Sequence, residues 1–479
     1  MSVGKVFINN RWEEPASGET IPVVDPSTGE VFTQIARGAA PDVDRAVAAA
    51  RAAFDGPWGK MPAFERGRLL HKFSQKVLDR HEELTQIESR DTGKPLKQAR
   101  ADITACARYF EYYAGACDKL HGATIPFLEG FTVMLLREPF GVTGHVLPWN
   151  YPAQMFGRSL GGALAAGNAT VLKPAEDACQ SHLRLVELMA EVGFPPGAVN
   201  IVPGFGYEAG SALSSHTGID HMSFTGSTAT GSLVAQAAAK NHIGCIMELG
   251  GKSPQIVFAD ADLEQALPVL ANGIIQNAGQ TCSAGSRLLV EASRYDEVVE
   301  NLGARMNGLK VGGAQQDLDC GPIIRNSQLD RVRGFLKVAA DDGLKVAGRG
   351  SISADAPKGG YFVEPHLIRD VPAHHTLAQD EIFGPVMVAM PFKDEADAIR
   401  LSNGTAYGLN CGVWTNDGGR QMRLAKAIRS GQVYINNFGA GGGIELPFGG
   451  VKHSGHGREK GFEALYGFTS VKTVVIKHG

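Results

Sequence analysis

The sequence predicts an α/β protein with two doubly wound parallel-sheet domains. From residue 141 onwards, short apolar runs alternate with stretches that favour helix, an order typical of parallel sheets that carry helices on both faces. The chain has 479 residues, which is too long for one ordinary hydrophobic core and favours two large domains. Ligands of such sheets bind beyond the carboxyl ends of the strands.

Helices and one hairpin are predicted before the alternating region. Apolar residues fall on one helical face over residues 62–87, and Gly93 and Pro95 follow as a stop signal. Residues 101–120 predict a second helix. Residues 121–137 carry a proline and a glycine between short apolar runs, which favours a hairpin-like excursion.

Two series of strands are predicted in the alternating region. The glycine pair Gly250-Gly251 separates them and is the predicted domain boundary. Residues 468–477 are apolar and β-branched and predict a last strand at a sheet edge. The unpaired backbone groups of such an edge strand have to be covered by another segment or another subunit. The first series lies at residues 142–147, 170–172, 199–202, 221–224 and 245–249, and the second at residues 255–258, 288–290, 386–390, 409–414 and 432–435.

The composition argues against several classes of protein. A hydrophobic fraction of 43% and a charged fraction of 20% are ordinary for a soluble protein, and a net charge of -4 offers no basic surface for nucleic acid or an anionic membrane. The seven cysteines are irregularly spaced and form no CxxC or Cys/His pattern, so we expect free thiols and no metal site. The N-terminus is unlike a leader peptide and no apolar run is long enough for a membrane span, which predicts a cytoplasmic protein.

Cys282 is the candidate nucleophile. It lies among small residues, where a backbone can turn tightly and a substrate can approach, whereas the other cysteines lack a supporting motif and fit the structural role usual for a free cysteine. Glu248 ends an apolar strand about thirty residues earlier, at the edge where ligands bind. A thiol attacks a carbonyl carbon, and a carboxylate can then activate water to release the acyl group. Taken alone, Glu248 also fits a structural ion pair.

Three further places carry candidate ligand groups. Asn150 follows the strand at 142–147 and fits a turn cap equally well. Residues 224–231 join a strand to a helix, so pyrophosphate can lie near the helix N-terminus, although the segment lacks the GxGxxG spacing. Lys173 and Glu176 follow the strand at 170–172, where a surface ion pair would explain them as well.

Four segments, taken in their order, resemble the NAD(P)-dependent aldehyde dehydrogenase family, and the resemblance extends over essentially the whole chain. It implies that an aldehyde is oxidised irreversibly to a carboxylic acid, with NAD as cofactor and with a thiohemiacetal and a thioester on Cys282. Glu248 would be the general base, Asn150 would hold the oxyanion together with the Cys282 N–H, and Glu459 would serve in a proton relay. Because members that transfer the acyl group to coenzyme A typically lack this glutamate, a hydrolytic member is implied. The segments are Leu147-Pro148-Trp149-Asn150, Phe224-Thr225-Gly226-Ser227, Glu248-Leu249-Gly250-Gly251-Lys252-Ser253-Pro254 and Gln276-Asn277-Ala278-Gly279-Gln280-Thr281-Cys282.

The resemblance also implies cofactor contacts and domain limits. Residues 1–118 and 140–250 would form an NAD-binding domain, residues 251–452 a catalytic domain, and residues 119–139 and 465–479 an oligomerisation element, hence a homodimer or homotetramer. Lys173 and Glu176 would bind the adenosine ribose and Glu381 the nicotinamide ribose. The expected cofactor residues are Leu147, Trp149, Lys173, Glu176, Gly210, Phe224, Thr225, Gly226, Ser227, Gly231, Leu249, Glu381 and Phe383.

Arg158 is the residue that bears on the substrate. Broad-specificity and betaine-aldehyde members usually have Trp here, whereas members that oxidise succinic semialdehyde have Arg and bind the distal carboxylate with it. The second arginine of those enzymes is Gln276 in this chain, and Arg158 could instead pair with an internal acid. An anionic semialdehyde or an aromatic aldehyde is therefore expected, and broad use of neutral aldehydes is the alternative. Three aromatic residues could line the substrate slot: Phe156, Phe438 and Phe448.

Two rival functions stay open at this point. One is a cofactor-independent thiol esterase, against which the cofactor positions Gly226 and Glu381 argue. The other is a catalytically inactive protein of the same fold, against which the presence of Cys282, Glu248 and Asn150 argues.

Overall fold

The computed structural model describes residues 3–439 and 443–479 of the chain. It contains two large, mainly parallel sheets of eight and seven strands with helices packed against them, and two smaller sheets and a hairpin beside them. This architecture confirms the predicted α/β class with two parallel sheets. Among the described residues no helix combines the length and the apolar character of a membrane span, and no group of three or more His, Cys, Asp or Glu side chains could hold a metal ion.

The first sheet has five parallel central strands and antiparallel strands at both edges. Its last strand, Gly455–His456, comes from a part of the chain that follows the whole second sheet, and it pairs with Gly244–Glu248. The order across the sheet is Arg11–Glu13, Val6–Ile8, Val199–Ile201, Ala169–Pro174, Val142–Leu147, His221–Thr225, Gly244–Glu248 and Gly455–His456.

The second sheet is parallel except for one edge strand, Lys345–Arg349. Its central strands are almost continuously apolar and buried on both faces, as expected when helices cover a parallel sheet. The order is Lys345–Arg349, His366–Arg369, Val386–Phe392, Arg287–Glu291, Pro254–Val257, Asn410–Trp414 and Gln432–Ile435.

The remaining strands form three small units. The strand Thr469–Lys477 pairs along its whole length with Phe131–Pro139, which in turn pairs with Ala123–Ile125. The hairpin-like excursion is therefore confirmed, and the last strand is covered along one edge. The other pairs are Thr20–Asp25 with Glu30–Ala36 and Lys310–Val311 with Ser351–Ile352.

Helices cover both large sheets. The helix predicted at residues 62–87 is in fact two helices, because Arg80 leaves the helical conformation at φ -109°, ψ 20°. Both bury apolar side chains on the same side, so their periodicity alone does not reveal the break. The helices are Ala40–Asp55, Ala63–Asp79, His81–Thr92, Leu96–Ala116, Pro152–Ala166, Gln180–Val192, Ser211–Ser215, Thr228–Lys240, Leu263–Ile275, Tyr295–Asn307, Asn326–Asp341, Thr376–Gln379, Glu395–Asn403, Gly418–Ala427 and Glu463–Gly467.

The turn that joins the two sheets lies against the segments that carry the candidate site. A Cβ at Gly251 would lie 2.3 Å from the carbonyl oxygen of Cys282, and one at Gly250 would lie 2.4 Å from a carboxylate oxygen of Glu381. The first distance excludes a side chain at Gly251 unless the backbone moves, whereas a side chain at Gly250 would require the Glu381 carboxylate to shift. The carboxyl end of the first sheet is thereby held in contact with the cysteine loop.

Candidate functional site

Cys282 lies in a loop with an unusual backbone. The helix Leu263–Ile275 ends in a single 3₁₀ turn, within which Asn277 and Ala278 adopt left-handed conformations at φ 50° and 54°. Non-glycine residues seldom adopt this conformation, and it concentrates at functional sites where surrounding contacts enforce it. The loop leaves the Cys282 side chain half-buried.

A cavity of about 670 Å³ opens onto Cys282. Asn150, Glu248 and Glu381 line the same cavity, together with the turn that follows the strand His221–Thr225. Four residues predicted from separate motifs, and lying as far as 231 positions apart in the sequence, are therefore brought together.

The Asn150 amide is held in a fixed plane. Its Nδ2 donates a hydrogen bond to the carbonyl oxygen of Gln280 at 2.9 Å, which leaves the second amide proton for another acceptor. The backbone carbonyl of Asn150 accepts from Lys94 Nζ at 2.9 Å and from Asn277 Nδ2 at 2.8 Å. Both the main chain and the side chain of Asn150 are thus fixed next to the cysteine loop.

The electrostatics at Cys282 keep its proton on sulfur. Burial raises the pKa of the Cys282 thiol to about 12; Glu248 and Glu381 raise it further, and Arg158 lowers it. Because the thiolate is the reactive form, a base must accept this proton when substrate reacts at neutral pH.

Glu248 ends the strand Gly244–Glu248 and is buried. Burial raises its pKa well above the ordinary value; Arg158 opposes this shift and Glu459 reinforces it. A carboxylate with a raised pKa holds a proton more strongly, which is the property of a general base that works near neutral pH.

Arg158 does not present a free guanidinium to the cavity. Its side chain is 6% exposed, its Nη2 lies 3.1 Å from Glu248 Oε2, and its Nε lies 2.5 Å from Glu459 Oε2. The guanidinium also lies over the Phe448 ring, 4.2 Å from the centroid. Of the two roles open at the sequence level, the structure supports the pairing with internal acids.

Phe156 was expected to line the substrate slot, and this expectation is wrong. Its ring is fully buried and packs between Phe73, Phe110 and His182. Residues two positions apart on a helix point in different directions, so Phe156 faces the core while Arg158 faces the two glutamates.

The other two expected substrate residues flank the end of the helix Leu263–Ile275. Gln276 is exposed directly after this helix. Phe438 is half-buried, with its ring 6.0 Å from the ring of Tyr434, and a Cβ at Gly273 would lie 3.4 Å from it.

The residues after the strand His221–Thr225 form a cradle that fits a dinucleotide. Ser227 caps the helix Thr228–Lys240 by accepting the Thr230 N–H, and the first residues of this helix line the cavity, where a phosphate can bind near the helix N-terminus. A Cβ at Gly231 would lie 2.5 Å from Leu249, so only glycine lets this helix approach the end of the neighbouring strand.

Further cofactor candidates surround this cradle. Lys173 Nζ contacts Glu176 at 2.8 Å, and a Cβ at Gly210 would lie 3.8 Å from Lys173. Glu381 accepts the Gly251 N–H at 2.8 Å, and burial raises its pKa to about 7. The remaining candidates end the central strands or line the cavity: Leu147, Trp149, Phe224, Thr225, Gly226 and Phe383.

Three residues that sequence reasoning missed also line the cavity. Arg325, Gln328 and Arg331 lie at the start of the helix Asn326–Asp341. Gln328 donates to the Phe383 carbonyl at 2.8 Å, and Arg331 donates to the Glu381 carbonyl at 2.6 Å. They are spaced three residues apart, which places their polar groups on one helical face. This spacing is the sequence pattern that could have predicted them.

Comparison with known proteins gives one consistent result. A family model described as the aldehyde dehydrogenase family matches residues 12–474. A mitochondrial benzaldehyde dehydrogenase of Antirrhinum majus is 42% identical over 475 residues, which is 98% of this chain and 88% of that protein. A candidate aldehyde dehydrogenase from Burkholderia cenocepacia has a solved structure with a TM-score of 0.99 and 64% identity, covering 99% of this chain and 100% of that one. A Bacillus cereus aldehyde dehydrogenase solved with NAD+ has a TM-score of 0.97 and 39% identity, covering 100% of this chain and 97% of that one.

The raised pKa of Cys282 predicts slow alkylation of the protein without ligands. We expect the rate of labelling by iodoacetamide to rise about tenfold per pH unit from about pH 7 to about pH 10, because the thiolate fraction grows over this whole range. Quantifying the labelled Cys282 peptide by mass spectrometry measures this rate. A plateau near pH 9, as an ordinary thiol with a pKa of about 8.5 would give, contradicts the prediction.

Proposed function

The chain belongs to the aldehyde dehydrogenase family, and on that premise we propose that it oxidises an aldehyde to a carboxylic acid with Cys282 as nucleophile and Glu248 as base. It is an oxidoreductase acting on the aldehyde group, with NAD as cofactor. The observation that carries the proposal is the shared cavity, which has Cys282, Asn150, Glu248 and Glu381 in its walls. A cofactor-independent esterase would have no use for the dinucleotide cradle beside that cavity.

The first half of the proposed reaction takes place on sulfur. The Cys282 thiolate, once its proton has left, forms a bond to the aldehyde carbon and gives a thiohemiacetal. The amide proton of Asn150 that is not donated to Gln280 stabilises the oxyanion, together with the Cys282 backbone N–H. NAD, when bound, accepts the hydride that leaves this carbon. The acyl group then remains on Cys282 as a thioester.

The residues around the cradle support binding and orientation of the cofactor. Lys173 and Glu176 would hold the adenosine ribose, and the open N-terminus of the helix Thr228–Lys240 would hold the pyrophosphate. Glu381 would hold the nicotinamide ribose, since the Gly251 N–H fixes its carboxylate at the cavity wall.

The second half of the proposed reaction needs Glu248. Its carboxylate removes a proton from water, the resulting nucleophile attacks the thioester carbon, and the bond to sulfur breaks to release the acid. Glu459 contacts the same arginine as Glu248, which supports its expected part in proton transfer.

We propose a neutral aldehyde, aliphatic or aromatic, as the substrate. The expectation of an anionic group depended on a free Arg158, but two carboxylates already flank its guanidinium, so a third would meet repulsion. One relative at 42% identity is a benzaldehyde dehydrogenase, which supports an aromatic member of this class.

We also propose that the protein works as a homodimer or homotetramer in a reducing cytoplasm. All seven cysteines are free. The three-stranded sheet at the C-terminus exposes Val471 and Val475, each 54% accessible, on one face. Exposed apolar strand faces of this kind promote association. The two large sheets and this small one support the proposed division into residues 1–118 and 140–250, 251–452, and 119–139 with 465–479.

Two substitutions separate the two halves of the reaction. Cys282→Ser should abolish aldehyde oxidation, because a hydroxyl lacks the acidity and nucleophilicity of a thiol. Glu248→Gln should still release about one NADH per subunit in a burst and then stall as a thioester. Stopped-flow absorbance and intact-protein mass spectrometry measure both outcomes. Full steady-state turnover by Glu248→Gln would remove Glu248 from the role of base.

A preference for NAD over NADP should depend on Glu176. Its carboxylate, held by Lys173, would repel a 2′-phosphate, so we expect kcat/KM for NAD to exceed that for NADP by about tenfold or more. Glu176→Gln should reduce the ratio of kcat/KM for NAD to kcat/KM for NADP. Glu191→Gln should leave this ratio unchanged, because it changes an exposed carboxylate outside the cavity. Equal efficiency with the two cofactors in the unchanged enzyme would show that Glu176 does not discriminate.

Association should depend on the C-terminal sheet. Light scattering after size exclusion should give a multiple of the 50.8 kDa chain mass. Val475→Asp should shift the mass towards the monomer, because it places a charge on the proposed contact face, and Lys472→Ala on the opposite face should not. A monomeric unchanged protein would refute the proposal.

A further inference from the structure

Arg158, Glu248 and Glu459 form a buried charge cluster, which is called the acid–arginine cluster here. The three residues come from distant parts of the chain: the helix Pro152–Ala166, the end of the strand Gly244–Glu248, and the segment after Gly455–His456. Each side chain is at most 6% exposed. Removing charges from water is costly unless they are paired, so both carboxylates depend on the single guanidinium between them.

Two nitrogens of the guanidinium lie at ion-pair distance from carboxylates within this cluster. Two different nitrogens of Arg158 face two different carboxylates, and one flat side of the group covers the Phe448 ring. Arginine suits this position because its fork is planar and rigid, whereas the lysine ammonium is a single point charge.

We propose that Arg158 is a positioning residue that orients Glu248 and keeps it ionised for deacylation, and that Glu459 weakens this effect by competing for the same guanidinium. The inference rests on the proposed role of Glu248 as base. It gives Arg158 a role in the reaction other than substrate recognition.

Other ionisable groups lie near the cluster and also influence the pKa of its members. Arg458 lies near Glu248, and its Nη1 donates to the carbonyls of Gly450 and Gly457. Lys460 also contacts the Phe448 ring, with its Nζ 5.5 Å from the ring centroid. Burial lowers the pKa of Lys460 to about 8. The Cys282 thiol lies on the cavity side. Arg158 has ion-pair contacts with both carboxylates.

The far side of Glu459 is held by neutral groups. Its Oε1 accepts from Ser223 Oγ at 3.1 Å, Ser223 contacts Ser159 at 3.0 Å, and Ser159 contacts His145 Nδ1 at 2.7 Å. Burial lowers the pKa of His145 to about 3, so this row of hydrogen-bonded side chains carries no positive charge near neutral pH. The row fixes the orientation of Glu459, and Arg158 is the cation that compensates the charge of Glu459 within the cluster.

The two single substitutions should shift the pH dependence in opposite directions. Arg158→Met removes the cation, so the pKa of Glu248 should rise, and the pH at which deacylation reaches half its maximum should increase by about one unit or more. Glu459→Gln removes the competing carboxylate, so the same midpoint should decrease. A merely structural residue would lower activity without such opposed shifts.

Deacylation is measured directly to separate this step from the others. The decay of the acyl-enzyme is followed by quenched-flow mass spectrometry from about pH 5 to about pH 10, with a neutral aldehyde and NAD. For Arg158→Met we expect an NADH burst near one per subunit and a deacylation rate about tenfold or more below that of the unchanged enzyme at pH 7. Arg158→Lys, which keeps the charge but not the fork, should restore part of the rate and return the midpoint towards its original pH.

A matched control uses Arg184, which pairs with Glu83, Glu187 and Glu191 on the outer helices. Arg184→Met makes the same chemical change outside the site and should leave the pH midpoint unchanged. If Arg158→Met fails to fold, Glu459→Gln still tests the direction of the shift.

Each outcome has one meaning. An unchanged midpoint in Glu459→Gln, or shifts in the same direction for Arg158→Met and Glu459→Gln, would overturn the positioning role. A rise of KM confined to anionic aldehydes, without a shift of the midpoint, would return Arg158 to the substrate site. If the unchanged enzyme gives no NADH burst with any aldehyde, the proposed aldehyde oxidation itself is wrong. That result is distinguished from failure of the positioning role, in which the burst is present and the midpoints do not shift as expected.

Discussion

The contact between the Gly250-Gly251 turn and two other segments is the constraint on which the site depends. Gly251 touches the backbone of the cysteine loop and donates its N–H to Glu381, while Gly250 touches the Glu381 carboxylate. One turn therefore sets the distance between the cysteine, the cofactor carboxylate and the end of the strand that carries Glu248. A methyl group at either glycine would separate these parts, and a displacement of about 1 Å at reacting groups is enough to impair catalysis severely.

Much of the fold could be predicted from the sequence because the two parallel sheets are built from apolar runs. The strands Val142–Leu147 and Gln432–Ile435 have the predicted bounds, and the other predicted strands differ by one to three residues at their ends. Two strands of the second sheet, Lys345–Arg349 and His366–Arg369, were missed; both are short, and the first is partly exposed. Short strands at and next to a sheet edge take their conformation from pairing with a distant neighbour, which local periodicity does not express.

The site could be predicted only in part, for a related reason. Cys282, Glu248 and Asn150 lie in segments whose residue types indicate their chemistry, and the cavity does bring them together. Arg158 shows the limit of this approach. Its sequence position fits either a substrate carboxylate or an internal acid, and the choice depends on Glu459, which is 301 residues away in the chain. Contacts of that kind are a product of the tertiary fold.

The antiparallel edge strand Gly455–His456 has a consequence for biosynthesis. It completes the first sheet only after the whole second sheet has been made, and the same stretch supplies Glu459 to the charge cluster and Phe468 to the core. A nascent chain therefore lacks this edge strand and Glu459 until the whole second sheet has been synthesised. Until then Arg158 and Glu248 meet without Glu459, and the growing polypeptide has an open sheet edge, which is the state in which chaperones most readily bind.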